Sequence, residues 1–142
     1  MPSNIWEALG EVKVPARPEG VWTLVCEDLP DFKKLKIVST GKWAYSDKFE
    51  AHCSGDGHAA SPIKSDRCIF PQAPIGALIG KFGGSNMGLA DGTVFVIGSV
   101  CIYERSSDSK VPHPCLFATI NDMPDGFEDN TGELNVSVMK TR

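Results

Sequence analysis

The sequence predicts an all-β fold, a small β-sandwich of about eight strands. Two features carry that expectation. Helical periodicity is nearly absent along the 142 residues, and short apolar, β-branched runs recur between Gly, Pro, Asp and Ser punctuation. Strands without intervening helices pack as sheet on sheet.

The exception comes first: Asn4 to Ala8 has the Asn4–Glu7 spacing of a capping box and is expected to form one short helical turn, ended by Gly10. The predicted strands follow in order. Glu11–Val14 lies between Gly10 and Pro15, Val21–Cys26 follows Gly20, and Leu35–Thr40 stops at Gly41. Ala77–Phe82 is framed by Gly76 and Gly83, Thr93–Ile97 by Gly92 and Gly98, and Val100–Glu104 opens after Ser99. Cys115–Asn121 follows Pro114, with Leu116, Ala118 and Ile120 on one face. Glu133–Met139 alternates most clearly, Leu134, Val136 and Val138 facing one way and Asn135 and Ser137 the other.

Two connections are long. Gly83 to Gly92 is glycine-rich and reads as a flexible hairpin-like turn. Ser46 to Pro74 shows little strand character over about thirty residues, and structureless loops beyond ~12–15 residues are usually functional or disordered. It contains His58, Ser61 and Gln72.

At this length the chain fits one domain, residues 1–142, with enough core to fold without disulfides. A net charge of −4 argues against a nucleic-acid partner. Five cysteines cannot all pair, and none forms a CxxC, so idle thiols are expected, with a Cys53–Cys68 bridge the one alternative. The N-terminus has neither a basic n-region nor an apolar h-region, and no run is long enough to span a membrane. The expectation is a soluble protein made in the cytoplasm, with release to the exterior left open.

The charge is unevenly distributed. Residues 121–133 hold five of the eighteen acids and no base, leaving thirteen acids against fourteen bases elsewhere, a net charge of +1. An acidic stretch between two strands offers the carboxylate, amide and carbonyl oxygens that a hard cation such as Ca²⁺ selects. Asp122 stands where one strand ends, Pro124 restricts the turn, Asp129 and Asn130 present adjacent oxygens, and Gly132 opens the last strand. Gly126 is expected to adopt an unusual backbone angle that turns its carbonyl inward. Asp122 and Glu133 occupy the first and last positions of an EF-hand-length loop, but Phe127 replaces its central glycine and the flanks are strands.

Asn121-Asp122-Met123-Pro124 followed by Glu128-Asp129-Asn130-Thr131-Gly132 resembles, without a gap, the N-D-V-P-G-T-[YF]-G-[ND]-N-S-G signature of the PA-IL-like lectins, which bind galactose through calcium. Weaker similarity extends over nearly the full length, through Trp6 and Gly10-Glu11-Val12, Gly41-Lys42-Trp43-Ala44-Tyr45, and Ile75 to Gly83. The resemblance implies a jelly-roll-like, galactose-binding-domain-like sandwich that binds a galactose-containing glycan, is no enzyme, does not insert into membranes, and forms a homo-oligomer, tetramers being known in the family.

It also implies site residues. Asp122, Asp129 and Asn130 bind Ca²⁺ through side chains, Gly126 through its carbonyl, and Ser46 or Tyr45 through a second carbonyl. Two sugar hydroxyls complete the metal shell and bond to Asp122 and Asp129, with Met123 and Gly126 beside the sugar. His58 reaches the exocyclic hydroxyl, with Ser61 or Gln72 behind it. Asp125, Gly126 and Glu128 depart from the family's glycine, threonine and glycine, so calcium is expected more firmly than galactose. The alternative is a calcium-dependent sandwich that binds a lipid or protein without catalysis. No GxSxG or HExxH supports an enzyme.

Overall fold

A computed structural model describes residues 6–30, 32–47, 51–61, 63–88, 92–104 and 115–141. The described residues form nine strands: β1 (Glu7–Pro15), β2 (Thr23–Cys26), β3 (Lys34–Ala44), β4 (His52–Cys53), β5 (Leu78–Phe82), β6 (Thr93–Val96), β7 (Val100–Glu104), β8 (Leu116–Ile120) and β9 (Thr131–Thr141). They build two antiparallel sheets. One runs β1-β9-β3, with β7 and β4 sharing the far edge of β3; the other runs β2-β8-β5-β6. This is the small all-β sandwich the sequence predicts.

All eight predicted runs are strands; Val100–Glu104 matches β7 at both ends, and the other seven differ at one or both ends. β3 and β9 are longer than expected because they pair over their whole lengths, from Lys34↔Thr141 to Ala44↔Thr131. The helical turn is a correction. Glu7 and Ala8 belong to β1 and pair with Lys140 and Met139, so strand pairing overrides a weak capping signal; Asn4 lies outside the described residues.

Leu35, Ile37, Leu134, Val136 and Val138 of one sheet face Leu78, Phe82, Leu116, Ala118 and Ile120 of the other in the central core. A second cluster of Trp22, Ala73, Ala77, Ile79 and Phe117 lies apart from it. It explains why β5 and β8 are buried at every residue: a strand covered on both faces loses its polar alternation.

The Ser46–Pro74 connection is more structured than expected. It contains β4 and a 3₁₀ turn at Ser65–Arg67, and Ala73 packs into the second cluster. The Gly83–Gly92 connection does join an antiparallel pair, β5 and β6, but it is anchored. The Asn86 carbonyl accepts bonds from Val21 and Trp22 N–H (2.8 and 2.9 Å). Buried Lys81 donates to Ser85 and Gly88 carbonyls (2.6 and 3.0 Å) while its ammonium lies over the Trp22 and Phe117 rings. All five cysteines are free thiols, Cys53 donating to the Gly76 carbonyl at 3.6 Å. Among the described residues, no helix is long and apolar enough to cross a membrane.

Candidate functional site

Strand register brings the acidic loop to one rim of the sandwich. Ile120, the last residue of β8, pairs with Leu78. Asn121 continues the ladder, its N–H donating to the Ala77 carbonyl (2.7 Å) and its carbonyl accepting from Gly76 N–H (2.8 Å). β9 begins at Thr131 opposite Ala44, the last residue of β3. Residues 121–130 therefore cross from the four-stranded sheet to the five-stranded one, beside Tyr45 and Ser46.

Inside the loop, Gly126 N–H closes a turn on the Met123 carbonyl (2.9 Å), and a 3₁₀ turn spans Phe127–Asp129. Phe127 anchors that turn in the central core. The segment after β1 braces the far side. Ala16 N–H donates to the Gly132 carbonyl (3.0 Å), Asn130 Nδ2 to the Ala16 carbonyl (2.9 Å), and Arg17 Nη1 to the Glu128 carbonyl (3.1 Å).

Gly126 corrects one expectation. Its φ is −107°, within ordinary residue range, and an added Cβ would meet Met123 O and Asp122 Oδ1 at 3.4 and 3.5 Å, ordinary contact distances. The loop does not need glycine there for its backbone angle.

Tyr45, Ser46, Ile63, Asp122, Met123, Gly126 and Asp129 line one cavity of about 330 Å³. All but Ile63 are residues that the sequence singles out. Asn130, the remaining expected side-chain ligand, is not among the residues lining this cavity; it is buried behind it, after Asp129 at the end of the 3₁₀ turn.

The electrostatics of this cavity are unusual. Asp122 Oδ1 accepts a 2.7 Å bond from Met123 N–H. Its Oδ2 is buried with no hydrogen-bond partner among the described residues, and so is Asn130 Oδ1. An unsatisfied buried acceptor costs roughly 1–3 kcal/mol, and more when charged. Burial pushes the Asp122 carboxyl up to about 6, helped by the Asp129 and Asp125 carboxylates and opposed by the Met123 amide and by the neighbouring Asn130 side chain. Two orphaned oxygens, a second carboxylate and nearby backbone carbonyls fit a hard cation that takes oxygen ligands. Among the described residues no three His, Cys, Asp or Glu side chains gather to hold a metal by themselves. Any ion here would depend on amide and carbonyl oxygens as well.

His58 and Ser61 meet at the Tyr45 hydroxyl, which lies 2.6 Å from His58 Nδ1 and donates to Ser61 Oγ at 2.6 Å. Both line a second cavity of about 230 Å³ with Ala59, Ile63, Lys64, Ser65, Pro74 and Ile75. Gln72 is exposed and lines neither cavity.

Sequence reasoning assigned no duty to Asn121, Ile63 or the Tyr45 hydroxyl. Fully buried Asn121 accepts from Phe70 N–H through Oδ1 (2.9 Å). Its Nδ2 lies within donor range of the Phe70, Ala73 and Pro74 carbonyls (2.9, 3.1 and 3.1 Å). It staples the long loop beneath Asp122. Its place next to Asp122 was the available signal; Ile63 gave none.

No family model matches the chain, and no curated protein matches it by sequence. Among solved structures, the fold is shared with a lectin domain. That domain is the N-terminal domain of EclA, described as a PllA-like lectin; the match has 20% identity and a TM-score of 0.63, and covers 94% of this chain and 98% of that one. At this identity the likeness establishes the fold alone.

Proposed function

We propose that the chain is a calcium-dependent, non-enzymatic lectin that binds galactose or a galactose-like glycan at the rim between β8, β9 and the end of β3. The observation that carries this reading is the pair of orphaned buried oxygens, Asp122 Oδ2 and Asn130 Oδ1, in the loop that forms the Asp122–Asp129 cavity. Asp122, Asp129 and Asn130 would hold Ca²⁺ with the Gly126 carbonyl and one from Tyr45 or Ser46. When bound, the ion supplies positive charge and open coordination positions that two neighbouring sugar hydroxyls can fill. Asp122 and Asp129 accept hydrogen bonds from those hydroxyls, and Met123 and Ile63 give the sugar an apolar wall. His58 and Ser61, both bonded to the Tyr45 hydroxyl, would meet the sugar's exocyclic hydroxyl. A lectin fold among the structural neighbours supports the sugar half of the reading.

Thermal melts with calcium and with chelator test the metal, because a ligand that binds only the folded state raises its stability. Coincident melts would overturn the calcium site. A glycan array run under the same two conditions tests the sugar, with calcium-dependent retention of galactosides expected. Stabilisation by calcium with a blank array would leave the non-sugar alternative. Weak single-site binding would gain from multivalency; a homo-oligomer is expected, and light scattering checks it.

A further inference from the structure

We infer that the far part of the second cavity, beyond His58 and Ser61 and beside Lys64, is a second subsite of the same binding face, taking an anionic substituent, a carboxylate or sulfate, on the sugar next to the one held at Asp122 and Asp129. The inference rests on the glycan-binding reading above and goes beyond it in naming an acidic glycan.

The two cavities are neighbours. Ile63 lines both, and Tyr45 lines the first while its hydroxyl bonds to His58 and Ser61 of the second. At about 330 and 230 Å³ each is near or below the ~300 Å³ lower end of ligand pockets. A ligand that fills both is longer than one sugar.

Their charges are opposite. Among the described residues, Asp122 and Asp129 line the first without a base, whereas Lys64 is the one formally charged residue lining the second. Lys64 has no ion-pair or hydrogen-bond partner among the described residues. An exposed lysine is ordinarily just a solvated charge. This one stands at a concave surface beside hydroxyl and imidazole groups, and its cavity adjoins one of opposite sign. Pro74 and Ile75 add an apolar flank against which the C–H face of a second ring can lie. The ligand that matches this polarity presents neutral hydroxyls at one end and negative charge at the other.

An exposed ion pair contributes up to about 1 kcal/mol, so the anion should add roughly fivefold in affinity and lose that advantage in high salt. The test is calorimetry on the full chain in saturating calcium, using lactose and lactose sulfated on its glucose residue. Wild type should prefer the sulfated disaccharide about fivefold at low salt. That ratio should fall to about one in Lys64→Ala, whose side chain is exposed, and to an inverse preference in Lys64→Glu. Equal affinities in wild type, or a preference that survives Lys64→Ala, would overturn the subsite while leaving the lectin reading intact. No heat with either disaccharide would overturn the galactose reading, and the subsite with it.

Discussion

At Asp122 the carboxylate is 2% exposed, bonded through Oδ1 to the Met123 amide and unbonded through Oδ2. In metal-stripped protein its folded value of about 6 exceeds the ordinary 3.8, so the folded state holds the proton more tightly. The sign follows. This group's stabilising contribution is complete below about pH 4 and is lost as pH rises through about 6, at up to about 3 kcal/mol. Asp122→Asn keeps an acceptor for Met123 N–H and removes the charge. It should flatten that pH dependence, raise the melting temperature of stripped protein at pH 7, and abolish stabilisation by calcium. Melts at pH 4, 5.5 and 7 check all three; a variant less stable than wild type when stripped at pH 7 would contradict the account. The acids here were legible because clustered charge is visible in sequence. Their pairing problem was not, because burial arises only when the loop folds under itself.

Between elements, the site depends on two contacts at the start of β5. Gly76 has φ +86°, and a Cβ there would come within 2.6 Å of Cys53 Sγ and 2.9 Å of Tyr45 Cδ1. Its N–H donates to the Asn121 carbonyl, and its own carbonyl accepts from Trp43 Nε1 at 2.7 Å. Gly76→Ala combines backbone strain with a clash and should cost roughly 2–3 kcal/mol in urea unfolding. Asn121→Ala strips the polar partner from the Phe70–Pro74 backbone, a loss of ~2–4 kcal/mol by the same measurement given several buried groups left unpaired. Limited proteolysis of this variant should cut within residues 63–74 while the β8–β5 pairing stays protected. Cleavage no faster than in wild type would show that the staple is dispensable. The strands themselves were readable because alternation and glycine punctuation are local. β4 was missed because two residues carry no period, and β1 was begun too late because pairing with β9 lies more than a hundred residues away.

Across the whole molecule, the central core closes off two of the five thiols, Cys53 and Cys68. Burial pushes Cys53 up to about 11 and Cys68 up to about 12, the latter also by the Asp122 and Asp66 charges. Both should resist thiol-specific reagents at pH 8 and react only as the molecule opens. Following two slow thiols with and without calcium would measure that opening, and rapid native labelling of either would contradict their placement. The fold class could be read from sequence because it depends on the sum of local patterns. The arrangement of the two cavities could not, since it depends on a long loop whose path is set by Asn121 and Tyr45 rather than by any periodicity.

The chain's passage from β8 to β9 has a mechanical consequence. Those strands lie in different sheets, and the loop between them is one of the seams by which the two layers are joined, beside the β4–β5 connection at this rim. A cation gripped by that seam would act as a clasp, holding the layers together at one end only. The opposite end, where β3 starts beside the end of β9, would have no such fastening. Loading the site should then make the sandwich hinge: hydrogen exchange would slow at the clasped rim and stay fast at the other, so that the protein unzips from its unfastened edge.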